Sequence, residues 1–227
     1  MRTIIYTCVF LFVFLPLLVQ GQQSSYNLYL TTGFGGTSYK GDLSSSYKSW
    51  TGTFHVGLVF NKKKRVNGYL HLMIGSVSGN NDSYTFNSSQ TATPNNYFKT
   101  TFVSFAYEFR INVLKKESYL IYFSPGIGLI RFNSKDEFGN SYANQFTTRA
   151  KAEEYSTVSF CIPLKIGGTY YFKNSCGIGM DIGFINPLTD YIDNISQWGN
   201  NSKKDNLLQA SLLIYIPLKK YTTTPTE

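Results

Sequence analysis

From Val103 to Val113 the chain reads VSFAYEFRINV, and the odd positions, Val103, Phe105, Tyr107, Phe109, Ile111 and Val113, are apolar or aromatic without a break. The even positions are Ser104, Ala106, Glu108, Arg110 and Asn112. Successive side chains of a β-strand point to opposite faces, so this period of two makes one wall apolar enough for lipid. The other wall sets a carboxylate two residues from a guanidinium. What that second wall faces decides the class of protein.

Similar runs recur along the chain and predict eight strands, at about 26 to 38, 50 to 60, 67 to 78, 98 to 113, 119 to 132, 156 to 172, 176 to 186 and 206 to 218. The last is typical, with Leu208, Ala210, Leu212, Ile214, Ile216 and Leu218 on one face and Gln209, Ser211, Leu213 and Tyr215 on the other. The connections are short after even strands (NKKKR, LKKES, KNS) and long and polar after odd ones (SSQTATPNN, SKDEFGNSYANQ, TDYIDNISQWGNNSKKD). Outer-membrane barrels are built this way, with tight periplasmic turns, larger outside loops and both termini in the periplasm.

Alternation alone also suits a soluble lipocalin-like barrel, whose outer surface would be about a quarter to a third charged. Across all eight strands the polar faces carry four clear charges, Glu108, Arg110, Lys165 and Asp181. That face is an enclosed lumen, which eight strands make just wide enough for side chains to fill. The expected fold is therefore all-β, an eight-stranded antiparallel transmembrane up-and-down β-barrel. A three-residue turn at KNS pairs Phe172 with Cys176, sets Lys165 opposite Gly183 and places it diagonal to Asp181. Aromatic residues gather near the strand ends and read as two girdles: Tyr39, Trp50, Tyr97, Phe98, Phe132 and Phe184 at one end, and Tyr26, Phe60, Tyr69, Phe109, Tyr119, Phe172 and Tyr215 at the other.

The first 21 residues, with Arg2, an apolar run from Ile4 to Val19 and small residues Val19 and Gly21, read as a signal peptide. Residues 22–218 form the barrel and 219–227 a periplasmic C-terminal tail. Cys161 and Cys176 are too few for a disulfide framework and lie too far apart along neighbouring strands to pair.

GFGGTSYKGDL at 33 to 43 and PLTDYIDNIS before the last strand resemble small outer-membrane barrels of Bacteroidota, the family that includes the barrel subunit of the type IX secretion apparatus. The sharpest marks are Tyr39, Gly41 and Asp42 and, near the other end of the chain, Asp190, Tyr191 and Asp193. The chain departs from such barrels in ending on KKYTTTPTE rather than on an aromatic residue. The resemblance implies an assembly component of a secretion apparatus.

Little in the sequence points to catalysis. A nucleophilic triad needs a histidine, and the two present, His55 and His71, both face the lumen by parity on neighbouring strands, opposite or diagonal to each other. They lack a third metal ligand close in sequence, so no metal site is assigned. Asp190 and Asp193 lack the alternating oxygen ligands and central glycine of a calcium loop and read as braces of their turn. GFGG and PGIGL lie within strands, with no helix following to cradle phosphate. No cofactor and no nucleic-acid partner is expected.

Charge is distributed unevenly. The formal net charge is +8, and losing Arg2 with the signal peptide leaves +7. The long-loop end is balanced and so is the lumen. The short-turn end carries Lys62, Lys63, Lys64, Arg65, Lys115, Lys116, Lys173, Lys219 and Lys220 against Glu117 and Glu227, so the whole excess sits on that rim. It would attract outer-membrane lipid head groups or dock an acidic periplasmic protein. The chain is accordingly expected to be a non-enzymatic outer-membrane barrel acting as an anchor or assembly component, with a narrow pore or small-ligand uptake barrel as the alternative.

Overall fold

The computed structural model describes residues 26–60, 65–83, 94–150, 153–199 and 204–220. Eight strands follow in order: β1 (Tyr26–Lys40), β2 (Trp50–Phe60), β3 (Val66–Asn80), β4 (Tyr97–Lys115), β5 (Tyr119–Lys135), β6 (Val158–Tyr171), β7 (Gly177–Pro187) and β8 (Asn206–Lys220). Each pairs antiparallel with its neighbour in sequence, and β1 pairs with β8 to close the barrel. Closure satisfies the backbone hydrogen bonds of every strand, a condition for crossing a bilayer. The expected β2 bounds match, most other strands run one to three residues further, and β6 opens two residues later.

Alternation along β4 is complete from Phe98 to Phe109, even positions buried and odd positions exposed. Outward stand Phe105, Ile127, Phe160, Ile166, Met180 and Leu212, each more than half exposed on a wall that carries almost no charge. Such a surface is stable in hydrocarbon and not in water. Glu108, Arg110, Lys165 and Asp181 all point inward and are buried. The KNS turn takes the expected register, Phe172 N donating to Cys176 O at 2.8 Å and Lys165 lying opposite Gly183.

Two expectations need correction. Tyr39, Phe98, Phe132, Tyr69 and Tyr215 do not belong to lipid-facing girdles: all are buried inside the barrel. Trp50, Phe109, Tyr119, Phe172 and Phe184 do face outward, while Tyr26, Phe60 and Tyr97 are partly buried. Parity decides, since Phe98 and Phe132 share the inward phase of Phe102 and Ile130. Nor is the lumen uniformly polar. Towards the long-loop end it holds an apolar cluster of Met73, Val77, Phe98, Phe102, Ile130, Phe132 and Leu207. Large apolar side chains fill a narrow interior without needing hydrogen-bond partners.

The expected signal peptide, Lys62, Lys63 and Lys64, the tail beyond Lys220 and the side chains of Lys219 and Lys220 lie outside the described residues. Cys161 and Cys176 are free, Cys161 fully buried with Sγ 3.8 Å from Ser104 Oγ and Cys176 partly exposed in the turn. Some eleven residues of β6 separate their levels, about 36 Å at about 3.3 Å per residue, against a limit of about 7 Å for a bridge. In the folded, detergent-solubilised protein a maleimide should therefore label Cys176 and not Cys161, and mass spectrometry should find no disulfide between the two. Labelling of Cys161 without unfolding would contradict the packing.

Candidate functional site

At mid-height a row of polar side chains crosses the lumen. Lys165 Nζ lies 2.5 Å from Glu108 Oε1, with both side chains at most 1% exposed. Ser124 Oγ donates to Glu108 Oε2 at 2.8 Å, and His71 Nδ1 lies 3.1 Å from Oε1. His71 Nε2 lies 3.0 Å from His55 Nδ1, and His55 Nε2 lies 2.8 Å from the Thr53 hydroxyl. The two imidazoles stack almost parallel, at an interplanar angle of 8°. One proton assignment runs along the row, Thr53 donating to His55, His55 to His71 and His71 to Glu108, with Lys165, whose Nζ lies 3.2 Å from the same His71 Nδ1, donating to Glu108. Of the two arrangements left open by their spacing, opposite or diagonal, the histidines take the diagonal one, since His71 is opposite Gly57.

The ion pair differs from the sequence expectation in its partner. Lys165 reaches Glu108 on β4, across the intervening β5, and not the diagonal Asp181 on β7. Asp181 is engaged elsewhere, accepting from Gln209 Nε2 at 2.8 Å, Ser211 Oγ at 2.7 Å and Tyr122 Oη at 3.4 Å. Arg110 forms no ion pair among the described residues; its guanidinium lies 3.7 Å from the Tyr69 ring centroid and 4.4 Å from that of Tyr122, and Nη1 donates to Tyr215 Oη at 2.9 Å. Desolvated cation–π contacts of this kind are worth about 2 kcal/mol or more. Glycine makes room for the rings, because a Cβ at Gly57 would sit 2.5 Å from Tyr69 and one at Gly167 would sit 2.6 Å from Tyr122.

The β7–β8 connection closes the long-loop end. Ile192 and Ile195 drop into the apolar cluster, and the Ile192 carbonyl accepts from Ser134 Oγ at 2.9 Å and from the Thr100 hydroxyl, both on the barrel wall. The two sequence motifs meet here. Tyr39 Oη donates to Asp193 Oδ2 at 2.5 Å and lies 2.9 Å from Asp205 Oδ1. The remaining oxygens of these carboxylates accept from backbone, Asp193 Oδ1 from Ile195 N and Asp205 Oδ2 from Ile192 N. Gly41 is required where it stands, since a Cβ there would fall 1.9 Å from Tyr39 Oη and 2.2 Å from Asp205 Oδ1. Tyr191 Oη donates to Glu153 Oε1 at 2.9 Å, joining the lid to the β5–β6 connection. Asn194, at φ +70°, donates to Asn95 Oδ1 and Thr148 Oγ1, tying in the β3–β4 connection and holding the β5–β6 connection at a second point. Asp193 thus braces its turn, and Asp42 is buried close by.

Of the basic rim, Arg65, Lys115, Lys116 and Lys173 are exposed at the short-turn end. Sequence reasoning missed Asp205, Ser124 and Tyr122. Ser124 is fully buried and donates to a carboxylate rather than to an imidazole, so it is not arranged as a nucleophile. Among the described residues no group of three or more His, Cys, Asp or Glu side chains is disposed to hold a metal ion.

Removing one partner of a buried ion pair leaves an uncompensated charge and costs about 3 to 5 kcal/mol. Lys165→Met and Glu108→Gln should each destabilise the folded barrel by about that much, and the double variant by clearly less than their sum. Additive losses in a denaturant titration would show that the pair is not coupled.

Burial first, and the charge of Asp42 second, push the Asp190 carboxyl up to about 6. Burial likewise pushes Asp193 up to about 8, and burial and then Asp193 push Asp205 upward. Against an unfolded value of about 3.9, the lid holds its protons where the released loop would not. Its stability is therefore full below about pH 4 and falls as pH rises towards about 8. Hydrogen exchange in residues 188–199 should accelerate over that window beyond the intrinsic rate, and Asp193→Asn should flatten the dependence. A lid that tightens with rising pH would reverse the sign and refute the arrangement.

No protein-family model matches this chain, and no curated protein matches it in sequence. Its structure is similar to solved barrels. Neisserial surface protein A (NspA) superposes with a TM-score of 0.51 at 9% identity, over 85% of this chain and 97% of that one. Ail, the attachment invasion locus protein of Yersinia pestis, gives a TM-score of 0.48 at 8% identity over 84% and 97%. The outer membrane enzyme PagL gives 0.38 at 14% identity over 84% and 99%. At such identities what NspA shares with this chain is the fold, a closed eight-stranded antiparallel barrel of the outer-membrane type.

Proposed function

We propose that this chain is an exported, non-enzymatic outer-membrane barrel whose interior is a structural plug and whose work is done at its rims. The short-turn rim, with the termini, faces the periplasm and anchors an acidic partner there. One observation carries the reading: Glu108, Arg110, Lys165, Asp181 and His55 are all at most 4% exposed, and the β7–β8 connection covers the far mouth. A lumen so filled by the described side chains favours an anchor over a narrow pore or uptake barrel. The exposed Arg65, Lys115, Lys116 and Lys173 support docking through the basic rim. The motifs at Tyr39, Gly41 and Asp42 and at Asp190, Tyr191 and Asp193 resemble those of Bacteroidota barrels of the type IX secretion apparatus, which fits an assembly role.

Reconstituted in a planar bilayer, the purified protein should show no unitary conductance. Replacing Lys62 to Arg65, Lys115 and Lys116 with Ser or Gln should abolish crosslinking to a periplasmic protein in intact cells while leaving the barrel folded, and the native complex should dissociate as salt screens the rim. Steady ion conduction by the unaltered barrel would favour the pore. Equal capture by the charge-stripped rim would remove the docking site.

A further inference from the structure

On the outward wall at the long-loop end, three cations stand outside both the lumen and the basic rim. Lys99 on β4 is directly opposite Lys135 on β5, and four residue pairs down the ladder, on the same face, Arg131 is opposite Val103. Like charges in register on one face of a sheet repel, with Cβ atoms about 5 Å apart. Among the described residues none of the three forms an ion pair. The adjacent carboxylate of Asp136 is turned into its own loop, accepting from Phe138 N, Asn140 N and Gln145 Nε2. Below the cations the same wall becomes apolar, with Phe105 opposite Leu129 and Tyr107 opposite Ile127, all outward. The connection leaving Lys135 bears Phe138 and Phe146, 81% and 79% exposed, the aromatic character expected at a membrane–water boundary.

Two unneutralised lysines in register, a third cation at the edge of the apolar band and acyl-sized apolar surface beneath match one chemistry. We propose that the β4–β5 wall binds a phosphorylated lipid of the outer leaflet, Lys99 and Lys135 sharing one phosphate and Arg131 contacting the head group at the hydrocarbon boundary. The phosphate removes the like-charge repulsion, and the acyl chains lie along Phe105, Ile127 and Leu129. The site rests on the preceding reading only in taking the long-loop end as the outward one.

The test uses the full chain in detergent and two probes, bis-phosphorylated lipid A and the same lipid without phosphate, with binding read by native mass spectrometry. The phosphorylated lipid should bind and its phosphate-free counterpart should bind far more weakly. Lys99→Gln with Lys135→Gln should weaken the phosphorylated lipid about thirtyfold, as expected for two cations at an anionic head group. Lys99→Arg with Lys135→Arg should retain binding, and Lys48→Gln, which alters another exposed lysine at the same end, should change nothing. Equal binding of the two lipids, undiminished binding by the double Gln variant, or displacement by inorganic phosphate at concentrations comparable to the lipid would each overturn the proposal. A conducting barrel or a missing periplasmic partner would overturn the anchor reading and leave this result untouched.

Discussion

Glu108 and Lys165 lie 2.5 Å apart inside a barrel that excludes water from both. A buried ion pair is tolerable only if the other lone pairs and protons of its members are also satisfied. That requirement propagates outward. Ser124 takes the second carboxylate oxygen, His71 shares the first, and His71 then holds His55, which holds Thr53. Side chains from β2, β3, β4, β5 and β6 are thereby fixed at one level, and the layers on either side are built around it. Towards the long-loop end the filling is apolar, and towards the short-turn end tyrosines enclose Arg110.

The two ends of the molecule solve different problems. At the long-loop end a barrel mouth would expose the apolar cluster to water, and the β7–β8 connection covers it with Ile192 and Ile195. Covering it buries Asp193 and Asp205, which the Tyr39 hydroxyl and the backbone of the lid itself then satisfy. The short-turn end carries exposed basic residues instead, with no connection long enough to fold inward.

Strand number, the bounds of β2, the KNS register and the inward direction of the four lumen charges were all legible, because a period of two is a local property of the chain. That His55 and His71 share the lumen face of neighbouring strands was legible for the same reason, while the register alone decided that they are diagonal rather than opposite. The partner of Lys165 was not: pairing rules speak of adjacent strands, whereas the tight curvature of eight strands brings β4 and β6 within side-chain reach over β5. Tyr39, Phe98 and Phe132 were placed by their position at strand ends when their parity already pointed them inward. The lid left a fainter signal, two isoleucines three residues apart in the polar run TDYIDNISQ, which become a plug only once the strands are closed. Asp205 adjoins the last strand, and its contact with Tyr39 joins residues 166 apart in sequence.

The charges on the strands themselves divide by their access to solvent. Inside, two acidic and two basic side chains offset one another, each at most 4% exposed, and mobile ions do not reach them. Salt screens exposed charges over about 10 Å at 0.1 M, and buried pairs much less. Beside the apolar band, the exposed Arg65, Lys115, Lys116 and Lys173 lie at one edge, and the exposed Lys99 and Arg131 with the half-buried Lys135 lie at the other. A salt dependence in the stability of the isolated barrel would therefore reflect surface charge rather than the lumen row. A salt dependence in its associations distinguishes neither edge until one of them is neutralised, because both present cations beside hydrocarbon.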